Sequence, residues 1–284
     1  MKIKDFYDEI SSTFSYVLID DDTSICAIID PVLEYNQYTG KCSAVNADKI
    51  IHFIKENSLK CEWVLETHIH ADHITAADYI KSKLNIKVGI GEDVKSILKF
   101  WANIFNFNKD ISLEGTHFDK LFHDNEIIKI GNLNVKVLKT PGHTPSCVSY
   151  LIEDRIFVGD TLFMPNAGTA RADFPGGSST ILYKSIRKIL SLPPNTKIYI
   201  CHDYPKISGN QEFLSTIYMQ NKNNILINAN ISLAEFVELR DTRDSKIEPP
   251  RLIYPSIQVN IRNGHLGKKE INGKKYIKIP IQFL

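Results

Sequence analysis

The chain has 284 residues, of which 43% are hydrophobic and 24% are charged, a composition typical of a globular protein with a sizeable core. The formal net charge of +1 gives no strong overall field, so we expect neither nucleic acid nor an anionic membrane as a partner. No stretch approaches the ~20 apolar residues that a membrane span needs. The first residues include early acidic side chains and do not resemble a secretory signal, and the five cysteines are sparse and scattered. These features predict a cytoplasmic protein without a disulfide framework.

The first part of the sequence predicts strands, a helix and another strand before a histidine-rich segment. Two apolar runs at 15–19 and 24–29 flank a turn-rich spacer, which indicates a hairpin. A helix is expected from about Ala47, with Asn46 as its N-cap, and a short buried strand at 63–65. Beyond the histidines, apolar spacing predicts helices at 74–84 and around 97–105.

The second half returns to strands, at 126–130, 133–139, 147–152, 155–158 and 197–200, with a helix at 181–190 before the last of them. A capping box at 232–235 opens another helix. The tail from 252 alternates apolar and polar residues around two Asn-Gly turns, which predicts a terminal hairpin. We expect one α/β domain over residues 1–284, built from two packed sheets with helices outside, and an extension from about residue 245 that packs on it.

The strongest chemical signal is a group of three histidines and one aspartate directly after a predicted strand. Imidazole and carboxylate groups are ligands that suit zinc, iron and manganese. A solvated polar loop is the alternative explanation, and it would be favoured for a single histidine. Four ligand-type side chains so close together favour a metal site instead. The four residues are His68, His70, Asp72 and His73.

Three more motifs place a possible ligand after a strand: Pro-Gly-His143, Gly-Asp160 and Cys-His202. Together with the histidine cluster, their order and spacing resemble the metal-binding motifs of the metallo-β-lactamase superfamily. The resemblance implies a four-layer αββα sandwich with its site at one rim. It also implies two metal positions bridged by Asp160, the arrangement of dinuclear hydrolases. The first position would use His68, His70 and His143, and the second Asp72, His73 and His202.

Other segments resemble one branch of that superfamily, the persulfide dioxygenases and in particular the bacterial β-lactamase-hydrolase-like group. These segments are residues 141–150, 161–177, 201–204 and 255–262. This resemblance implies one iron(II) per chain, held by His68, His143 and Asp160. The implied reaction is oxidation of a low-molecular-weight thiol persulfide, such as glutathione persulfide, by O₂ to sulfite and thiol. Ala172 departs from the pattern, since many relatives have cysteine there, and no rhodanese segment is evident.

In this interpretation His70, Asp72, His73 and His202 surround the iron without binding a second metal, and they position water or hydrogen-bond the ligands. Asp72 and Tyr204 are candidate catalytic groups, and Arg171 and Tyr204 are candidate contacts to the substrate. An ion pair between Arg171 and Asp173 is an equally good explanation for that arginine, and core packing is the alternative for Tyr204. Cys147 and Cys201 are expected to be buried, inert thiols.

Three alternatives to a dioxygenase remain at this point. A dinuclear zinc thioester hydrolase of the glyoxalase II kind would use the same ligands. A true β-lactamase is disfavoured because Asp160 stands where one such class has a cysteine ligand. A metal-binding or redox-sensing protein without activity would not need a complete ligand set. We also expect a homodimer, and we expect zinc to replace iron in some recombinant preparations.

Overall fold

The computed structural model describes residues 1–107, 110–204 and 211–281, and two six-stranded sheets dominate it. The first sheet has the strand order β1-β2-β3-β6-β8-β9, in which β3, β6, β8 and β9 are mutually parallel. Its strands are β1 (Lys2–Asp8), β2 (Thr13–Asp20), β3 (Ile25–Ile29), β6 (Lys60–Leu65), β8 (Lys87–Gly91) and β9 (Lys120–Phe122). A small sheet beside it contains β4 (Val32–Asn36), β5 (Lys41–Ser43) and β7 (Ile74–Thr75).

The second sheet follows chain order from β10 to β15, and β13 and β14 form its one parallel pair. Its strands are β10 (Ile127–Ile130), β11 (Leu133–Lys139), β12 (Val148–Ile152), β13 (Arg155–Phe157), β14 (Lys197–Tyr199) and β15 (Leu214–Thr216). The parallel pair is joined by a crossover that carries a helix, as parallel neighbours require.

Helices cover the outer face of each sheet. The α-helices in the described ranges are α1 (Val45–Glu56), α2 (Ala77–Leu84), α3 (Val94–Phe105), α4 (Ser179–Leu190), α5 (Ile217–Asn223), α6 (Leu233–Asp244) and α7 (Ile253–Asn260). Helices α1, α2, α3 and α7 share a hydrophobic cluster with the first sheet, and α4, α5 and α6 share one with the second. A third cluster lies between the sheets, so the predicted αββα sandwich is confirmed. None of the helices in the described ranges is long and apolar enough to cross a bilayer.

Strand β2 shows why the sequence forms this layered core. All eight of its residues are buried, and its side chains alternate between two clusters. Tyr16 and Leu18 pack between the sheets, whereas Val17 and Ile19 pack against the helices. Since side chains alternate across a strand, a continuous apolar run of this kind fits a strand that is covered on both faces.

Two predicted helix starts are wrong. Helix α1 begins at Val45, and Asn46 lies inside it instead of capping it. The carboxylate of Glu34 on β4 accepts hydrogen bonds from the backbone N–H groups of Val45 and Asn46, so a distant side chain satisfies the helix start. The helix predicted at 74–84 begins instead as β7, and its helical part starts at Ala77.

The predicted terminal hairpin is also wrong. Residues 253–260 form α7, and the described part of the chain beyond it, 261–281, contains no strand. The alternating pattern is explained by burial of Ile257, Val259 and Ile261 in the cluster over the first sheet. Gln258 then holds the following segment by hydrogen bonds to the backbone N–H and C=O of Lys278.

A buried ion pair within helix α6 also binds the loop after β13. The Arg240 Nη2 and Asp244 Oδ1 atoms are 2.6 Å apart, and both side chains are at least 95% buried. The second carboxylate oxygen of Asp244 accepts from the backbone N–H of Ala172, and the guanidinium of Arg240 donates to the carbonyl of Thr169. These contacts fix the loop that lies beside the site described below.

We expect Asp244→Ala to lower the free energy of unfolding by about 3–5 kcal/mol, because it leaves a buried guanidinium without its counter-charge. Urea denaturation would measure this change. Asp241→Ala, an exposed aspartate on the same helix, is the matched control and should change stability by less than about 0.5 kcal/mol. Equal effects of the two substitutions would show that the buried pair has no special role.

Candidate metal site

The possible ligands follow strands that end at one rim of the sandwich. His68, His70 and His73 come after β6, His143 after β11, and His202 after β14. The turn before His143 requires glycine at position 142, since Gly142 has φ +136° and a Cβ there would lie 2.3 Å from the backbone of Leu182. Asp160 lies in a single 3₁₀ turn after β13.

The first ligand cluster joins His68, His143 and Asp160. The Oδ2 atom of Asp160 lies 3.8 Å from Nε2 of His68 and 3.6 Å from Nε2 of His143. The three side chains are 1%, 4% and 7% exposed, in the order His68, His143, Asp160. Two imidazoles and one carboxylate therefore converge in a buried position, and their ligand atoms lie within 4.8 Å of one another.

The second ligand cluster contains His70, Asp72, His73 and His202, whose ligand atoms are also within 4.8 Å of one another. Nε2 of His202 is 3.3 Å from Oδ2 of Asp72 and 3.3 Å from Oδ1 of Asp160. Asp160 thus directs one carboxylate oxygen towards each cluster. The structure brings together all seven residues of the predicted ligand sets.

The state of the imidazole nitrogens shows that this donor set fits a metal ion. Buried polar atoms in proteins are almost always hydrogen-bonded. Four buried nitrogens at this rim nevertheless make no hydrogen bond within the described residues: Nε2 of His68, Nδ1 of His70, Nε2 of His73 and Nε2 of His202. Burial and the neighbouring histidines also hold the pKa of His68 well below its usual range, which favours the neutral form that binds metals.

In three of these histidines the ring nitrogen that points away from the clusters contacts a neighbouring polar group. Nδ1 of His143 donates to the carbonyl of Arg171 at 2.7 Å, which leaves Nε2 as the nitrogen available to a metal. Nδ1 of His68 lies 3.0 Å from the Thr67 hydroxyl, and Nδ1 of His202 lies 3.2 Å from the Thr13 hydroxyl. Each ring is therefore oriented by a contact on its far side.

His70 is held by two buried carboxylates. Its Nε2 lies 3.1 Å from Asp30 Oδ1 and 3.5 Å from Glu66 Oε2. Burial alone would lower the pKa of His70, but Asp30 and Glu66 hold that pKa well above its usual range. With the Nε2 proton donated to these carboxylates, Nδ1 is the atom that faces the ligand clusters.

A cavity of about 640 Å³ opens onto the site, and Asp72, His143 and Asp160 form part of its lining. Arg171 and Tyr204 line the same cavity. The Arg171 guanidinium makes two hydrogen bonds to Asp173, at 2.5 and 2.6 Å, so the ion pair considered as an alternative is present. Tyr204 is 37% exposed, and its ring is stacked 5.8 Å from that of His202.

Comparison with known proteins identifies the family. The model described as "Metallo-beta-lactamase superfamily" matches residues 10–202. The chain belongs to this superfamily. It is 49% identical to "Glyoxylase B2" of Dictyostelium discoideum, over 100% of this chain and 98% of that protein. It is 42% identical to the "Beta-lactamase hydrolase-like protein" of Agrobacterium fabrum, over 99% of this chain but 65% of that longer protein.

Some more distant relatives of the chain carry the name of an oxidoreductase. The chain is 28% identical to the human protein "Persulfide dioxygenase ETHE1, mitochondrial", over 92% of this chain and 88% of that protein. The crystal structure of ETHE1 from Myxococcus xanthus has a TM-score of 0.75 with 27% identity, and the match covers 93% of this chain and all of that one. The predicted resemblance to both groups is therefore confirmed.

Two residues that hold the candidate ligands in place by hydrogen bonds, Asp30 and Asn260, were not identified from the sequence. Asp30 accepts hydrogen bonds from both the backbone N–H and the hydroxyl of Thr67, in addition to its contact with His70. Asn260 on α7 accepts from the N–H of Thr75 and donates to the carbonyls of His70 and His73. A lone aspartate before a proline and a lone asparagine in a tail give no motif, so only the fold reveals their role.

We expect Asp30→Asn to weaken metal binding about 10–100-fold, because the amide NH₂ replaces one of the two acceptor oxygens that bind Thr67 and His70, and the negative charge beside His70 is lost. Competition against a chelator, followed by elemental analysis, would measure the affinity. Asp20→Asn is the matched control, since Asp20 is an equally buried carboxylate that bonds Thr23 and Asn132 instead. If both variants bind metal as tightly as the wild type, the contact from Asp30 does not support the ligand.

Proposed function

We propose that the protein is an iron(II)-dependent persulfide dioxygenase that oxidises a low-molecular-weight thiol persulfide, such as glutathione persulfide. The balanced reaction consumes one O₂ and one water, and it releases the thiol, sulfite and two protons. The observation that carries this proposal is the buried His68–His143–Asp160 cluster, two imidazoles and one carboxylate beside a large cavity. Similarity over nine-tenths of the chain to proteins named persulfide dioxygenase supports it.

In this proposal the iron is held by Nε2 of His68, Nε2 of His143 and a carboxylate oxygen of Asp160. Such a three-residue set leaves coordination positions free, and iron supplies the redox chemistry towards O₂ that zinc lacks. His143 and Asp160 line the cavity, whereas His68 does not. A substrate would therefore approach from the side of His143 and Asp160.

The residues around the cavity would bind the substrate and handle protons. Burial tends to raise the pKa of Asp72, but His202 and His73 hold it well below its usual range, so Asp72 is a carboxylate that can accept a hydrogen bond from water. Among the described residues, Asp173 and backbone carbonyls take all but one of the Arg171 guanidinium N–H groups, and the remaining Nη1 N–H would bind a substrate carboxylate in our proposal. Tyr204 would donate its hydroxyl proton as a hydrogen bond to the substrate.

Apolar side chains in the cavity wall would limit the access of water to the reacting sulfur. Phe163 and Phe174 line the cavity together with Ala167 and Ala170. The Phe174 ring packs edge-on against the His143 ring with centroids 5.1 Å apart. Electrostatic interactions are stronger in such a poorly hydrated site, and reactive sulfur species are protected from side reactions.

A second candidate function is a dinuclear zinc thioester hydrolase. It is favoured by the second carboxylate oxygen of Asp160, which lies 3.3 Å from His202, and by the intact second cluster. The name of the Dictyostelium relative also points in this direction. In that case Asp160 would bridge two zinc ions, and a bound hydroxide would be the nucleophile.

We expect iron(II)-loaded protein to consume O₂ and form sulfite when glutathione persulfide is added, because the proposed ligand set leaves room for both reactants. His68→Ala and Asp160→Ala should lose this activity by at least about 100-fold, since each removes a ligand. An oxygen electrode and a sulfite assay measure the two quantities. His52→Ala, an exposed histidine paired with Glu56, is the control and should retain wild-type activity.

Metal content distinguishes the two candidates. One iron per chain with persulfide-dependent O₂ uptake supports the dioxygenase. No uptake with iron, together with two zinc ions per chain and thioester hydrolysis, would show that the second candidate is correct.

A further inference from the structure

The cavity at the metal site continues into a wider depression on the protein surface. Ile10 and Arg251 line both the cavity and a second depression of about 600 Å³ along the β4–β5 hairpin. Arg251 also lines a third depression, of about 760 Å³, between this hairpin and the C-terminal tail. We call the second and third depressions the hairpin–tail groove. Arg251 therefore stands where the groove meets the metal-site cavity.

The hairpin–tail groove carries an excess of positive charge. Its cationic residues form no ion pair within the described parts of the chain. The groove also contains the carboxylate of Glu34, but backbone N–H groups at the start of α1 already bind that carboxylate. The cations are Lys41, Arg251, Lys274 and Lys275.

Aromatic rings line the same groove. Tyr35, Tyr38, Tyr254 and Tyr276 line the groove, and Tyr38 and Tyr276 are 80% and 47% exposed. Exposed tyrosine rings offer flat surfaces on which a nucleobase can stack, and lysine and arginine bind phosphate oxygens by charge-assisted hydrogen bonds. A surface that combines both groups suits a ligand with phosphates and an aromatic base.

The size of the combined site supports the same conclusion. Small-molecule sites usually measure about 300–1,000 Å³, so the metal-site cavity alone can hold a tripeptide persulfide. Such a ligand would leave the hairpin–tail groove without an occupant. A longer thiol would place its sulfur in the cavity, pass Arg251 and lay its far end in the groove.

We propose that the hairpin–tail groove binds the tail of a thiol that carries a nucleotide diphosphate. Its phosphates contact Arg251 and the groove lysines, its base stacks on the exposed tyrosines, and its sulfur end reaches the metal site. This inference rests on the proposed function only for the statement that the sulfur end reacts. It makes the substrate a persulfide of a nucleotide-bearing thiol.

Calorimetric titration with coenzyme A as the probe tests the groove without any turnover. We expect coenzyme A to bind at least about tenfold more tightly than glutathione, since each phosphate contact adds a charge-assisted hydrogen bond. The double substitution Lys274→Gln/Lys275→Gln should weaken coenzyme A binding about tenfold and leave glutathione binding unchanged. ADP, which has no thiol, should compete with coenzyme A.

The chain offers a matched control in the same tail. Lys268 and Lys269 are also adjacent and exposed, but they do not line the groove, so Lys268→Gln/Lys269→Gln makes the same charge change elsewhere. Equal affinity for coenzyme A and glutathione, or equal effects of the two lysine pairs, would overturn the proposal. Retained coenzyme A binding in a protein without dioxygenase activity would reject the proposed reaction and support the groove as a nucleotide site.

Discussion

The burial of five imidazole rings and the Asp160 carboxylate at one rim is the constraint on which the rest of the structure depends. Polar groups removed from water are costly unless they are bonded, and four of these imidazole nitrogens have no hydrogen-bond partner in the described chain. A cation in the first cluster would satisfy Nε2 of His68, and water or a second cation would satisfy the three nitrogens of the second cluster. The sandwich supplies the rigid strand ends from which such a group can be assembled, because segments after four strands, β6, β11, β13 and β14, contribute to it.

The outer contacts of the site explain why the two sheets and the C-terminal segment must pack as they do. Asp30 follows β3 and binds the loop after β6, so it connects two neighbouring parallel strands at the rim. Thr13 begins β2 in the first sheet and contacts His202, which follows the second sheet's β14. Asn260 comes from a helix near the end of the chain and holds the carbonyls of two ligand residues. Ligand geometry and global packing are therefore parts of one hydrogen-bond network.

The sequence was sufficient to predict the two packed sheets and the histidine-rich loop because both leave local patterns, whereas the division into two ligand sets followed from the resemblance of four motifs to the metallo-β-lactamase superfamily. Alternating or continuous apolar runs reveal strands such as β2, and the grouped histidines of residues 68–73 reveal the metal loop. The supporting residues leave no such pattern, since Asp30 and Asn260 are single polar residues whose partners are 37 or more positions away. The tail was mistaken for a hairpin because its buried positions are set by packing of α7 on the first sheet, a tertiary effect that periodicity does not report.

Asp160 has a further consequence for how this superfamily diversifies. Its two oxygens face two complete sets of ligands, so the same side chains can complete either a one-metal or a two-metal centre. A change of chemistry would then require no new ligand, only a different ion and a different cavity wall. Because zinc binds such sites more tightly than iron(II), a molecule that acquires zinc would lack redox chemistry at this rim even with every candidate ligand in place. This versatility is consistent with the different enzyme names that relatives of this chain carry.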